Sequence, residues 1–106
     1  GEGMEKQFDL LSQKPHVIIA TPGRLAHHLT EIPDFSLSSC QMCILDEADR
    51  LLEMGFASQI RQITKSMPES CQKVFLSATI PRVLVEFTKG GFCSSEPNIV
   101  RLDNEV

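Results

Sequence analysis

The stretch Met42-Cys43-Ile44-Leu45-Asp46-Glu47-Ala48-Asp49-Arg50 carries an apolar run that stops abruptly at two adjacent acids, after which the pattern turns helical. Two carboxylates therefore stand at the end of an expected strand. A buried strand holds its last residue rigidly, and a helix beginning just after it has unpaired backbone N–H groups, so the junction suits a metal-bound phosphate and a water. The plain alternative is an ordinary helix start, with Asp46 as N-cap and Glu47 in the first turn.

Downstream, Leu51-Leu52 belong to a short helix interrupted at Gly55, and the spacing of Phe56, Ile60, Ile63 and Met67 predicts a second amphipathic helix closed by Pro68. Lys73-Val74-Phe75-Leu76-Ser77 reads as another strand and ends in Ser77-Ala78-Thr79. Ile80-Pro81 then opens a helix with Leu84 and Phe87 inward, stopped by Gly90-Gly91, and residues 98–102 suit a last strand. Upstream, Met4, Phe8 and Leu11 share one helical face, in a helix over 2–12 that ends near Lys14-Pro15. Val17-Ile18-Ile19-Ala20 is short, apolar and β-branched, as in a strand covered on both faces. Thr21 is a good N-cap and Pro22 fits the first helical position, so a helix should run to about Thr30 with Leu25 and Leu29 inward and His27 and His28 solvated. Residues 32–39 form a loop by composition.

Helices alternating with strands imply βαβ units: an α/β fold with a parallel sheet and helices on both faces. Ligands in such sheets sit beyond the carboxyl ends of the strands. Three of those ends carry Thr21-Pro22-Gly23-Arg24, Asp46-Glu47 and Ser77-Ala78-Thr79.

The 106 residues make at most one domain, and 42% hydrophobic with 23% charged residues is a globular composition. No apolar run is long enough to span a bilayer and no leader opens the chain, so the expectation is an intracellular protein without membrane association. A net charge of -4 argues against a general electrostatic grip on nucleic acid, and any such contact must be local. Of the four cysteines, Cys40 and Cys43 have a zinc-like spacing. With Cys43 on a strand, however, residues three apart point to opposite faces and cannot chelate one ion, so neither structural zinc nor a disulfide framework is expected.

At the strand ends, Asp46 would bind Mg²⁺ through water, since that ion takes one or two carboxylates plus substrate phosphates. Glu47 could orient or deprotonate an attacking water. Ser77 and Thr79 are short enough to bond to Asp49 and couple the acid site to the next loop; a plain hydroxyl turn and helix cap is the other reading. Thr21-Pro22-Gly23-Arg24 offers helix-start amides for a nucleic-acid phosphate with Arg24 as ionic second contact, or capping alone.

In this order, Asp46-Glu47-Ala48-Asp49, Ser77-Ala78-Thr79 and Thr21-Pro22-Gly23-Arg24 resemble the motifs of DEAD-box ATP-dependent RNA helicases. The likeness continues through Ile19-Ala20-Thr21, Arg50-Leu51-Leu52-Glu53-Met54-Gly55-Phe56 and Phe75-Leu76-Ser77-Ala78-Thr79, covering essentially the whole chain. Leu84-Val85-Glu86-Phe87 and Ile99-Val100-Arg101-Leu102-Asp103 look more like the nucleolar, ribosome-biogenesis branch than the translation-factor branch. The resemblance implies that Asp46 and Glu47 serve Mg-ATP hydrolysis, that Asp49, Ser77 and Thr79 link nucleotide state to RNA, and that Thr21 to Arg24 bind RNA backbone. Gly1 sits where the second glycine of the family's RNA-contacting pair would fall.

The departures are as informative. The sequence has no G-x-x-x-x-G-K-[ST] phosphate loop, no adenine-recognising glutamine segment and no second helicase domain with arginine fingers. Residues 1–106 thus look like the C-terminal part of the first RecA-like domain, incomplete, whose partners are RNA and the missing remainder of the helicase core. In the family's sheet the phosphate-loop strand lies between the strand ending at Ser77 and the last strand, so the Ser77 strand is left with a bare edge or an abnormal pairing with 98–102. A two-component receiver domain would need acids after its first strand and a lysine after its last, where this chain has Ile19-Ala20-Thr21 and Leu102-Asp103. A truncated product that only binds RNA or a protein partner is the non-catalytic alternative.

Overall fold

A computed structural model describes residues 15–89 together with Asn98 and Val100. The elements are α1 (Pro22–Glu31), β1 (Met42–Leu45), α2 (Ala48–Glu53), α3 (Ala57–Lys65), β2 (Gln72–Phe75) and α4 (Arg82–Lys89). Strands β1 and β2 pair in parallel, with Met42 beside Gln72 and Leu45 beside Phe75, and α2 and α3 make the crossover between them. A parallel pair needs such a crossover, so the α/β class follows from the connection itself. The helix expected over 2–12 lies outside the described residues, as does most of the last strand over 98–102.

Side chains alternate across a strand, and the two faces of this sheet have different fates. Leu45 and Phe75 pack against a core of Ala48, Leu52, Ile60, Leu84 and Phe87, which draws α2, α3 and α4 onto one face. Met42 and Ile44, on the opposite face of β1, are 52% and 57% exposed. A second cluster of Ala26, Leu37 and Ile63 joins α1 to α3, and Gln62 Nε2 donates to the Ala26 carbonyl at 3.3 Å. Loop 32–39 contributes the buried Ile32 and Leu37, held by the tight turns Phe35 N–H to Ile32 C=O and Cys40 N–H to Leu37 C=O.

Two expectations need correction. Val17-Ile18-Ile19-Ala20 forms no strand: Val17 is 74% and Ile19 95% exposed, and the sheet has β1 and β2 alone among the described residues. An apolar run becomes a strand only when a neighbour completes its ladder, a condition set outside the run. His28 is buried rather than solvated, because it lies three residues from Leu25 and four from Ile32 and flanks the apolar stripe. Burial pushes its imidazole pKa down, helped by the charges of Arg24 and His27.

Cys43 on β1 is half-buried and its thiol is pushed up to about 11 by burial, so it behaves as a small hydrophobe. Cys40, just before the strand, donates its thiol to the Met42 carbonyl at 3.3 Å. Among the described residues, no group of three or more His, Cys, Asp or Glu side chains could hold a metal.

Candidate functional site

The site is built where β1 and β2 end side by side. The ladder runs on past both strands, since the Leu76 N–H bonds to the Leu45 carbonyl and the Ala48 N–H bonds to the Leu76 carbonyl, each at 2.9 Å. That second bond ties the first amide of α2 to the segment after β2. The two strand-end loops are therefore one hydrogen-bonded unit.

Asp46 and Glu47 form the turn between β1 and α2, and both are exposed. Neither acts as a side-chain cap. The N-cap position belongs to Glu47, not Asp46, and Glu47 has left-handed φ 53 and ψ 47 with no capping bond. The ordinary helix-start reading of these acids therefore fails on geometry. Glu47 has positive φ in a residue with a Cβ, a conformation that costs about 1–2 kcal/mol. Neither carboxylate caps the helix; Glu47 Oε2 accepts from Arg50 Nη1 at 3.3 Å, and among the described residues no other hydrogen bond uses the carboxylate oxygens of these two acids. As a donor set for Mg²⁺ they fit: hard oxygens, adjacent, too few to enclose the ion, with positions over for water and phosphate.

Asp49 is different, being buried within the first turn of α2 at 6% exposure. Its Oδ2 accepts from the Thr79 hydroxyl at 2.7 Å and from the Thr79 N–H at 3.2 Å, and its Oδ1 accepts from the Arg50 N–H at 2.9 Å. The Thr79 hydroxyl is the largest cause holding the Asp49 carboxyl below its ordinary range; burial opposes it, and the Arg50 and Thr79 amides and the Ser77 hydroxyl add to the lowering. Ser77 itself donates to the Thr79 carbonyl. The 77–79 turn is thus closed internally by Ser77 and anchored to α2 through Thr79.

Thr21-Pro22-Gly23-Arg24 opens α1. Thr21 is the N-cap with φ -80 and ψ 152, yet its hydroxyl makes no capping bond, and Arg24 is exposed. The helix start lies near Phe56: a Cβ placed on Gly23 would meet Phe56 Cε1 at 3.8 Å, and Phe56 packs on the core formed by α2, α3 and α4. Gly1 lies outside the described residues. Two features were missed from sequence. Arg50 pairs with Glu47, Nη1 to Oε2 at 3.3 Å, a three-residue helical spacing that could have shown it. Phe56 touches the start of α1, for which no local signal exists.

Comparison with known proteins places this arrangement. The DEAD/DEAH box helicase family model matches residues 1–87. The chain is 49% identical over 105 residues to ATP-dependent RNA helicase dbp10 of Schizosaccharomyces pombe, covering 99% of this chain and 12% of that protein. It is 48% identical over 106 residues to ATP-dependent RNA helicase DBP10 of Pyricularia oryzae, covering 100% of this chain and 11% of that one. The corresponding protein of Chaetomium globosum is 47% identical over 106 residues, 100% of this chain and 14% of the relative. The chain thus spans between 11% and 14% of the length of these relatives. With the motifs in order, the strand ends bonded together and the family model matched over most of its length, the chain belongs to the DEAD/DEAH box helicase family.

Proposed function

We propose that this chain is the later part of the first RecA-like domain of an ATP-dependent RNA helicase, a segment that couples ATP hydrolysis to RNA binding and to duplex unwinding or remodelling of RNA–protein particles. The observation that carries the reading is the bonding of Asp49 to Thr79, which links the acid turn after β1 to the turn after β2. Asp46 would hold Mg²⁺ through water, and the bound Mg-nucleotide supplies the phosphoryl group that is transferred. Glu47 orients the attacking water and accepts its proton. Asp49, Ser77 and Thr79 transmit nucleotide state between the two turns, and Thr21 to Arg24, with Gly1, take RNA phosphates without reading bases. Similarity to the DBP10 helicases, together with the 84–87 and 99–103 stretches, supports a role in ribosome biogenesis in the nucleolus. The phosphate loop, the arginine fingers and the rest of the core are supplied by other parts of the parent protein.

The test is Glu47→Gln in the complete helicase. The amide keeps the shape and loses the basicity, so ATP turnover should be abolished while ATP binding persists. Near wild-type turnover would remove Glu47 from the chemistry.

A further inference from the structure

Glu47 has an unusual mounting. Its backbone is the left-handed exception to the otherwise negative φ of described non-glycine residues, and its side chain is 63% exposed, with no capping bond. Such a backbone fixes where Cβ starts, but a glutamate head on three rotatable bonds wanders unless something holds it. Arg50 lies three residues on, in the first turn of α2, where helical side chains lean back toward the N-terminus. Its Nη1 reaches Glu47 Oε2 at 3.3 Å.

We propose that Arg50 is a positioning residue for the reaction, holding the Glu47 carboxylate by Oε2 so that Oε1 faces the attacking water. Among the described residues no other hydrogen bond uses the Glu47 carboxylate, so one oxygen is tethered and the other is left for water. The pair is exposed on both sides, at 69% for Arg50 and 63% for Glu47, and exposed ion pairs contribute little to stability. Its effect is therefore expected in catalysis, not in folding. Arg50 otherwise donates only its backbone N–H, to Asp49, which any substitution but proline preserves. The inference rests on the role given to Glu47 above.

The experiment uses the complete helicase with single-stranded RNA present, comparing Arg50→Ala, Arg50→Lys, Glu47→Gln and the Glu47→Gln, Arg50→Ala double variant. Arg50→Ala should lower kcat about five- to tenfold with KM for ATP and melting temperature unchanged, the signature of a misplaced group rather than a lost binding contact. Lysine, a point charge of similar reach, should restore about half of the lost rate. The double variant should be no slower than Glu47→Gln alone, because Arg50 acts only through that carboxylate. An unchanged kcat in Arg50→Ala, a rise in KM alone, or a fall in melting temperature would each overturn the positioning role. If Glu47→Gln itself turns over normally, the assignment of Glu47 fails and this inference with it; a dead Glu47→Gln beside a normal Arg50→Ala overturns only the inference.

Discussion

At the scale of single residues, the Asp49–Thr79 contact has a thermodynamic consequence that can be separated from its functional one. The Asp49 pKa is lowered in the folded chain, first by the Thr79 hydroxyl, from an ordinary value of 3.8. A lowered carboxyl pKa means that the unfolded chain takes up the proton more readily as pH falls. The stability from this contact is therefore complete above the unfolded pKa, and is lost as pH drops through the folded one. Thr79→Val removes the hydroxyl donor and keeps the shape. Its melting temperature should fall below wild type at neutral pH, and the gap should narrow below roughly pH 4. Thermal melts of the complete helicase across pH 3 to 7 would check it; a gap that widens toward acid would contradict the assignment. The functional arm uses Ser77→Ala with Thr79→Ala, expected to leave most ATP hydrolysis and to reduce strand separation, since these groups touch the 77–79 turn and α2 rather than the reacting phosphate. Equal loss of both activities would argue against that division.

At the scale of elements, two glycines next to the site should respond oppositely to alanine. Gly23 is in the first turn of α1, where an added Cβ would meet only Phe56 Cε1 at an ordinary 3.8 Å. Replacing it gains helix propensity, so Gly23→Ala should stabilise by up to about 1 kcal/mol. Gly55, between α2 and α3, has φ 92, which strains any L side chain although nothing lies within 4 Å. Gly55→Ala should cost about 1–2 kcal/mol, and denaturant titration of both variants would rank them. Elements of this kind were legible because their signals are local. The apolar run from Met42 to Leu45 stops at the two acids, Pro22 starts α1, and Gly55 divides α2 from α3, each by the chemistry of a few adjacent residues. What escaped was set at a distance. Residues 17–20 have strand chemistry but no ladder, and Glu47 takes a left-handed conformation that its own preference disfavours, beside the Ala48–Leu76 bond to the segment after β2.

At the scale of the whole molecule, the question is what these 106 residues can do as a purified polypeptide. One face of the sheet shows Met42 and Ile44 at 52% and 57% exposure, Leu76 at the end of β2 adds 49%, and Val17 and Ile19 add more apolar surface. Exposed apolar strands invite association, so the polypeptide should self-associate as its concentration rises, as light scattering would detect. Catalysis asks for more than the acid turn supplies. Phosphoryl transfer is mostly positioning and charge stabilisation, and the sequence contains no amide cradle with its lysine to hold the phosphates. Asp46 and Glu47 without triphosphate oxygens would make at most an incomplete cation site. RNA affinity should be low too, because the net charge is -4 and the phosphate contacts proposed above are confined to the start of α1 and Gly1. The expected outcome is no RNA-stimulated ATPase activity and at best weak nucleotide binding, measured on the purified polypeptide with and without single-stranded RNA. Turnover that vanished on Glu47→Gln would instead mean that the paired strand ends suffice for hydrolysis, and that the phosphate loop is dispensable to chemistry performed by the acid turn.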